Sequence, residues 1–234
     1  MDTVKAWIIA VGSEMLTPFR VDTNSLFITE KLNAVGCDVR LKAVVGDDVG
    51  ELTELLMRAR GSADLVICTG GLGPTEDDIT RDALARTLDV PFDLDEQVLE
   101  TIRDRFARRG LVMRDINRRQ AQVPRGAVVL ENTRGTAPGL WIERDGTAFA
   151  LLPGPPREMQ PLLERIVEER LKPKAGSRGL FRRVLRITGR SESDVDAVAQ
   201  PVYSRWASAD VPISTTILAK MGQNRTASHG RCAG

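Results

Sequence analysis

Three short runs constrain the chain most: VKAWIIAVG (4–12), CDVRLKAVVG (37–46) and DLVICTGG (64–71), each closing on glycine. The first and third are continuously apolar, the mark of strands covered on both faces. Between them lie DTNSLFITEKLNAVG (22–36) and DVGELTELLMRARGSA (48–63). The first places Leu26, Ile28, Leu32 and Val35 in an approximate helical stripe, with Asp22 able to cap it and Gly36 to end it. The second does the same with Leu52, Leu55, Leu56 and Ala59. Strand, helix, strand, helix, strand implies a parallel sheet with right-handed crossovers and helices on both faces. The expected fold is therefore three-layer α/β/α with a mostly parallel sheet. Such sheets bind ligands outside the carboxyl ends of their strands.

Beyond residue 89 the rhythm changes. DLDEQVLETIRDRFARRG (93–110) reads as an amphipathic helix with Leu94, Val98, Leu99, Ile102 and Phe106 on one face. MRDINRRQAQVP (113–124) reads as a second, arginine-rich helix. Short strands are expected over 127–132, 137–143 and 147–154, the last two joined as a hairpin by ERDGT. PPREMQPLLERIVEERL (155–171) opens with prolines where a helix tolerates them. The segment 172–179, KPKAGSRG, is the expected linker between a domain spanning 1–171 and a small, truncated α+β unit over 180–234. In that unit strands are expected over 180–189 and 212–222, and a Ser-capped helix bent by Pro201 lies between them. The closing QNRTASHGRCAG has no periodicity. It is expected to be a disordered polar tail or the product of a shifted reading frame, since one choice of codons for NRTASHG, displaced by one nucleotide, reads IELHLT.

The chemistry concentrates after the strands. In TGGLGPTEDD, Gly70, Gly71 and Gly73 can offer backbone amides to an anion, Thr69 and Thr75 can add hydroxyls, and a helix start near Asp78 adds the positive end of its dipole. No GK[ST] follows, so this is not the nucleoside-triphosphate loop. The same letters also fit a plain glycine turn followed by acids in a helix's first turn. Ser13 and Glu14 follow the first strand, Asp47 and Asp48 the second, and Asp77 and Asp78 the third. Carboxylates gathered on one edge repel unless a cation intervenes, so a divalent ion bridging them to phosphate is the economical reading. LLPGPPREM (151–159) sends another strand into a rigid turn, where Gly154, Pro155 and Pro156 could form the opposite wall. Gly135 and Thr136 of TRGTAPG could line a cleft or serve as plain loop.

Composition narrows the options. The three cysteines, Cys37, Cys68 and Cys232, are scattered, which fits a reducing cytoplasm and excludes a zinc site built on paired cysteines. His229 is the sole histidine, so any metal would be held by oxygen and be magnesium-like. No apolar run is long enough to span a membrane. Basic residues prevail after Leu171 and acids before it, yet aromatics are not interleaved with the bases, so nucleic acid is not an expected partner.

The motifs VGSEML…VDTNS, VGDD, TGGLGPTEDDITRDAL, MRDINRRQAQVPRGAVVLENTRGTAPG and LPGPPREM, in this order, resemble the N-terminal region of the competence/damage-inducible CinA family. That region is in turn similar to the MoaB/MogA molybdopterin-binding domain. The resemblance runs over about residues 5–220. It implies ADP-ribose pyrophosphatase activity with a divalent metal (Mg2+ or similar), a nucleotide or pterin ligand, a homo-oligomer and a KH-like second unit. It places essential aspartates at Asp47 and Asp78, with Glu14 as a further metal ligand, and puts Leu72 where the pterin-binding relatives carry threonine. The nicotinamide-mononucleotide deamidase domain that often follows in this family has no counterpart in the sequence. Two other roles stay open: a non-catalytic pterin- or nucleotide-binding module, and an oligomerisation scaffold.

Overall fold

The computed structural model describes residues 3–175 and 185–206. The chain divides into two compact units, Met1–Phe181 and Arg182–Gly234.

The first unit is built on a six-stranded sheet in the order β2-β1-β3-β8-β7-β6. Strands β1 (Lys5–Val11), β2 (Asp38–Val45), β3 (Leu65–Thr69) and β8 (Thr147–Leu152) run parallel. Strands β6 (Val128–Leu130) and β7 (Gly139–Arg144) extend the sheet by antiparallel pairing. As the apolar runs predict, β3 is buried throughout and β1 from Ala6 onward. Strand β2 is one of the two sheet edges, and its alternating sequence follows from having one exposed face.

Helices α1 (Thr23–Ala34) and α5 (Pro156–Ile166) cover one face, packing Ile28, Leu32, Met159 and Leu163 on Ala6, Ile8, Ile67 and Ala150. Helices α2 (Val49–Ala59) and α3 (Thr80–Leu88) cover the other, packing Leu52, Leu56 and Leu84 on Ile9, Val66 and Phe149. The three-layer α/β/α expectation therefore holds. Asp22 caps α1 by accepting from Ser25 N, as its position suggested. The β7–β8 hairpin turns at Asp145 and Gly146, both at positive φ (51° and 80°), the geometry an Asp-Gly pair favours.

The region after residue 89 departs from expectation. Phe92–Leu94 forms β4, paired antiparallel with β5 (Gln122–Pro124), so Leu94 sits on a strand and is 40% exposed instead of lying on a buried helix face. Helix α4 begins only at Glu96 and ends at Ala107, because Asp95 caps it through two backbone amides, Gln97 N and Val98 N. The arginine-rich segment is a 3₁₀ turn, Asp115–Ala121, that leads into β5. Val98, Leu99, Ile102 and Ala121 form its own small core. After α5 the chain continues through a π-helical turn, Val167–Leu171, and a short α6, Lys172–Ala175, so the first part of the expected linker is helical.

In the second unit α7 (Glu192–Tyr203) carries a capping box in which Ser191 and Asp194 satisfy each other's backbone amides, with Pro201 inside the helix. Residues 185–190 adopt no strand. The strand expected over 212–222 and the closing tail lie outside the described residues. Among the described residues no helix is long and apolar enough to cross a membrane.

Candidate functional site at the carboxyl edge of the parallel strands

Register brings the sequence motifs together. Val11 pairs with Val45, Ala10 with Thr69, and Thr69 with Leu152, so the four parallel strands end side by side. The residues that follow each strand share that edge: Gly12–Glu14, Gly46–Asp48, Gly70–Asp78 and Pro153–Pro156. Gly12 N donates to Val45 O and Gly70 N to Leu152 O, each at 3.0 Å, which ties the turns to neighbouring strands.

Two aspartates are anchored there. Ser13 N donates to Asp47 Oδ2 at 3.0 Å, and Asp47 N donates back to Ser13 Oγ at 2.9 Å. Asp78 Oδ2 accepts from Thr75 N at 2.9 Å and from Thr75 Oγ1 at 2.6 Å. The other acids of the edge behave differently. Asp48 caps α2 through Glu51 N, Asp77 is exposed, and Glu14 is exposed with its carboxylate folded back on Gly12. Helix α3 starts at Thr80, two residues later than the acids suggested, since Thr75–Asp78 closes its own turn.

Gly70 and Gly71 are required by packing and by backbone conformation. Gly70 has φ 104°, and a Cβ there would meet Val11 O at 2.2 Å. Gly71 has φ 63°, and a Cβ would meet Thr80 Oγ1 at 2.3 Å. A Cβ on Gly73 would come within 2.4 Å of Asp78 Oδ2, whereas one on Gly154 would make ordinary contact with Gly70 Cα at 3.5 Å. Backbone from two crossovers is thus held close with no side chain between.

Besides Thr69, several residues organise this edge whose partners the sequence pattern does not reveal. Asn24 Nδ2 donates to Gly154 O at 2.7 Å and to Thr69 Oγ1 at 3.1 Å, and Thr69 Oγ1 donates to Pro153 O at 3.2 Å. Thr69 is therefore a buried brace between α1, β3 and the Pro-Gly-Pro-Pro turn. Thr80 Oγ1 donates to Gly70 O at 2.8 Å. Arg81, 2% exposed, donates to Leu72 O at 2.6 Å and to Gly73 O at 2.7 Å. Burial, and then the charge of Arg119, bring its guanidinium down to about 10, against the pull of Asp78 and Asp82. Arg119 donates to Thr75 O at 2.7 Å and to Asp82 Oδ2 at 2.6 Å. The signals available were the VDTNS and DDITRD stretches, but neither spacing nor composition says which carbonyls they reach. Leu72 is buried in the core and anchors the loop from beneath.

Among the described residues no three acidic, histidine or cysteine side chains converge to hold a metal ion. Asp47 and Asp78 nevertheless each keep one carboxylate oxygen outside the hydrogen bonds given above. Magnesium is commonly held by one or two carboxylates, with waters and substrate phosphates completing its shell. The donor set fits an ion bridged by a phosphate-bearing ligand and does not form an all-protein cage.

Comparison with known proteins identifies the family of this fold. Residues 7–173 match the family model described as "Probable molybdopterin binding domain". A CinA-like protein of Solibacter usitatus is 46% identical over 230 residues, covering 97% of this chain and 54% of its own length. One from Koribacter versatilis is 41% identical over 222 residues, covering 93% and 53%. The chain thus spans about half the length of these curated relatives. A crystal structure of CinA from Thermoplasma acidophilum superposes with a TM-score of 0.66 at 34% identity, covering 70% of this chain and 98% of that one. On the strength of fold, motif order and these matches, the chain belongs to the molybdopterin-binding-domain family, within its CinA-like branch.

Proposed function

We propose that this domain hydrolyses the diphosphate of an ADP-ribose-like nucleotide with the help of a divalent ion, releasing AMP and ribose 5-phosphate. The supporting observation is that two aspartates held by backbone amides, Asp47 and Asp78, and side-chain-free glycine backbone all follow strands that end on one sheet edge. The amides of Gly71 and Gly73, with those around Gly154, would receive the phosphate oxygens, while the Gly70 amide, expected from the sequence to join them, is already given to Leu152 O. Ser13, Thr75, Pro155 and Pro156 shape the surrounding rim. Asp47 and Asp78, with Glu14 if its carboxylate turns away from Gly12, would hold magnesium, which supplies charge neutralisation for the diphosphate when bound. Water adds across one P–O bond, and a carboxylate oxygen of the pair takes the released proton. The test is chromatographic assay of AMP release with and without magnesium, for the unsubstituted chain and for Asp47→Asn and Asp78→Asn. Turnover that falls by about a hundredfold or more with the circular dichroism spectrum unchanged is expected. An undiminished rate in Asp78→Asn would rule the assignment out.

A second reading, a non-catalytic pterin- or nucleotide-binding module, is favoured by one observation: Asp78 Oδ2 is already engaged twice by Thr75, and among the described residues no trio of carboxylates converges. It expects ligand-dependent thermal stabilisation without product. Self-association as a homo-oligomer belongs to either reading, supported by exposed Leu16, Phe19, Val21 and Leu26 near the same edge, and light scattering measures it directly.

A further inference from the structure

A recess lies beside the 3₁₀ turn Asp115–Ala121. A cleft of about 370 Å³ opens between α4 and the segment 129–138. That size lies at the small end of ligand sites, roughly 300–1,000 Å³, and suits a ring system better than a whole dinucleotide. Its walls combine apolar Val98, Ile102 and Pro138 with the carboxylates of Asp95 and Glu131 and the hydroxyl of Thr101. The basic group there, Arg105, already donates to the carbonyls of Gly135 and Asn132 and so braces the wall. With acids facing the recess and the guanidinium committed, phosphate is repelled and a neutral group carrying N–H donors is preferred.

The cleft is coupled to the glycine loop by one short element. In the 3₁₀ turn Asp115–Ala121, Arg119 bonds Thr75 O of the loop, while its neighbour Gln120 donates to Thr136 Oγ1 of the cleft wall at 3.2 Å. Gln120 is 1% exposed and its Oε1 is buried without a partner. On the far side Asn132 Nδ2 donates to Glu158 Oε2 at 2.8 Å, in the first turn of α5 directly after Pro155 and Pro156. The recess is therefore flanked by both elements assigned to the diphosphate.

We infer that this cleft receives the amino-bearing heteroaromatic ring of a nucleotide whose phosphates lie on the glycine loop, with Asp95 and Glu131 accepting from the ring's amino group and Val98, Ile102 and Pro138 covering its faces. The inference rests on the proposed diphosphate site and assigns the base to a distinct set of residues.

Calorimetric titration with ADP-ribose, supplied as its non-hydrolysable α,β-methylene analogue, and, separately, inorganic pyrophosphate, both with magnesium present, tests it on the unsubstituted chain, Thr101→Trp and Glu131→Gln. Thr101 lies on the exposed face of α4 and bonds only to Gln97 O within its own helix, so the larger ring fills the recess without entering the core. Glu131→Gln keeps the shape and removes the charge. Both variants should weaken ADP-ribose binding by about tenfold or more and leave pyrophosphate binding within about twofold. Unchanged ADP-ribose affinity in both variants, or equal weakening of both ligands, overturns the assignment of the cleft. If the unsubstituted chain binds pyrophosphate but binds ADP-ribose no better, the cleft assignment fails alone. If neither ligand binds, the diphosphate site fails and takes this inference with it.

Discussion

Asn24 and Gly154 stand 130 residues apart in sequence, yet the Asn24 carboxamide donates to the Gly154 carbonyl at 2.7 Å. The same amide nitrogen holds Thr69 Oγ1, so one side chain at the start of α1 fixes the spacing of two turns across the parallel sheet. Asn24→Ala leaves the Gly154 carbonyl without its donor. It is expected to cost about 1–3 kcal/mol in urea unfolding and to lower pyrophosphate affinity, since both turns then relax. Calorimetry with pyrophosphate at a temperature where the variant is folded separates the two effects.

Arg81 offers a sharper case. Its guanidinium holds two loop carbonyls, Leu72 O and Gly73 O, from inside the protein. Arg81→Met removes both donors and keeps the volume, so the two carbonyls lose their partners. The expected loss is about 2–4 kcal/mol in the urea midpoint analysis. Arg81→Lys should recover only part of it, because an ammonium cannot reproduce the planar fork. A cost below about 0.5 kcal/mol for the Met variant would show that the clamp does not hold the loop.

The thiols give a pH prediction with a definite sign. Burial pushes Cys37 up to about 11 and Cys68 up to about 12, from an ordinary 9.0. The folded state therefore keeps both thiol protons where the unfolded chain releases them. This contribution is fully present below pH 9 and is lost as pH rises from 9 toward 11–12. Each thiol adds a slope of at most about 1.4 kcal/mol per pH unit in that window. Unfolding free energies near pH 8 and pH 10 should differ less in Cys37→Ala/Cys68→Ala than in the unsubstituted chain. An alkylating reagent should modify neither residue until the protein unfolds.

The sequence by itself determined the framework. The buried runs ending at Val11 and Thr69, the capped helix from Thr23 and the Asp145-Gly146 turn are local patterns, because apolar period and turn chemistry act within a few residues. Alternation of strand and helix was enough to predict that Ser13, Asp47 and Asp78 share one edge, since crossovers in parallel sheets have one hand. Where local patterns were short they misled: Leu94 fits the face of α4 in spacing, but pairing with β5 draws it into β4. Tertiary structure alone decided which acid caps, which acid is anchored to the edge, and which residues brace the loop. Asp48 caps α2, Asp47 binds Ser13, and Arg81, Arg119 and Asn24 reach carbonyls far along the chain. Those partners are fixed by strand register and by the packing of layers, and neither leaves a periodic trace in the residues themselves.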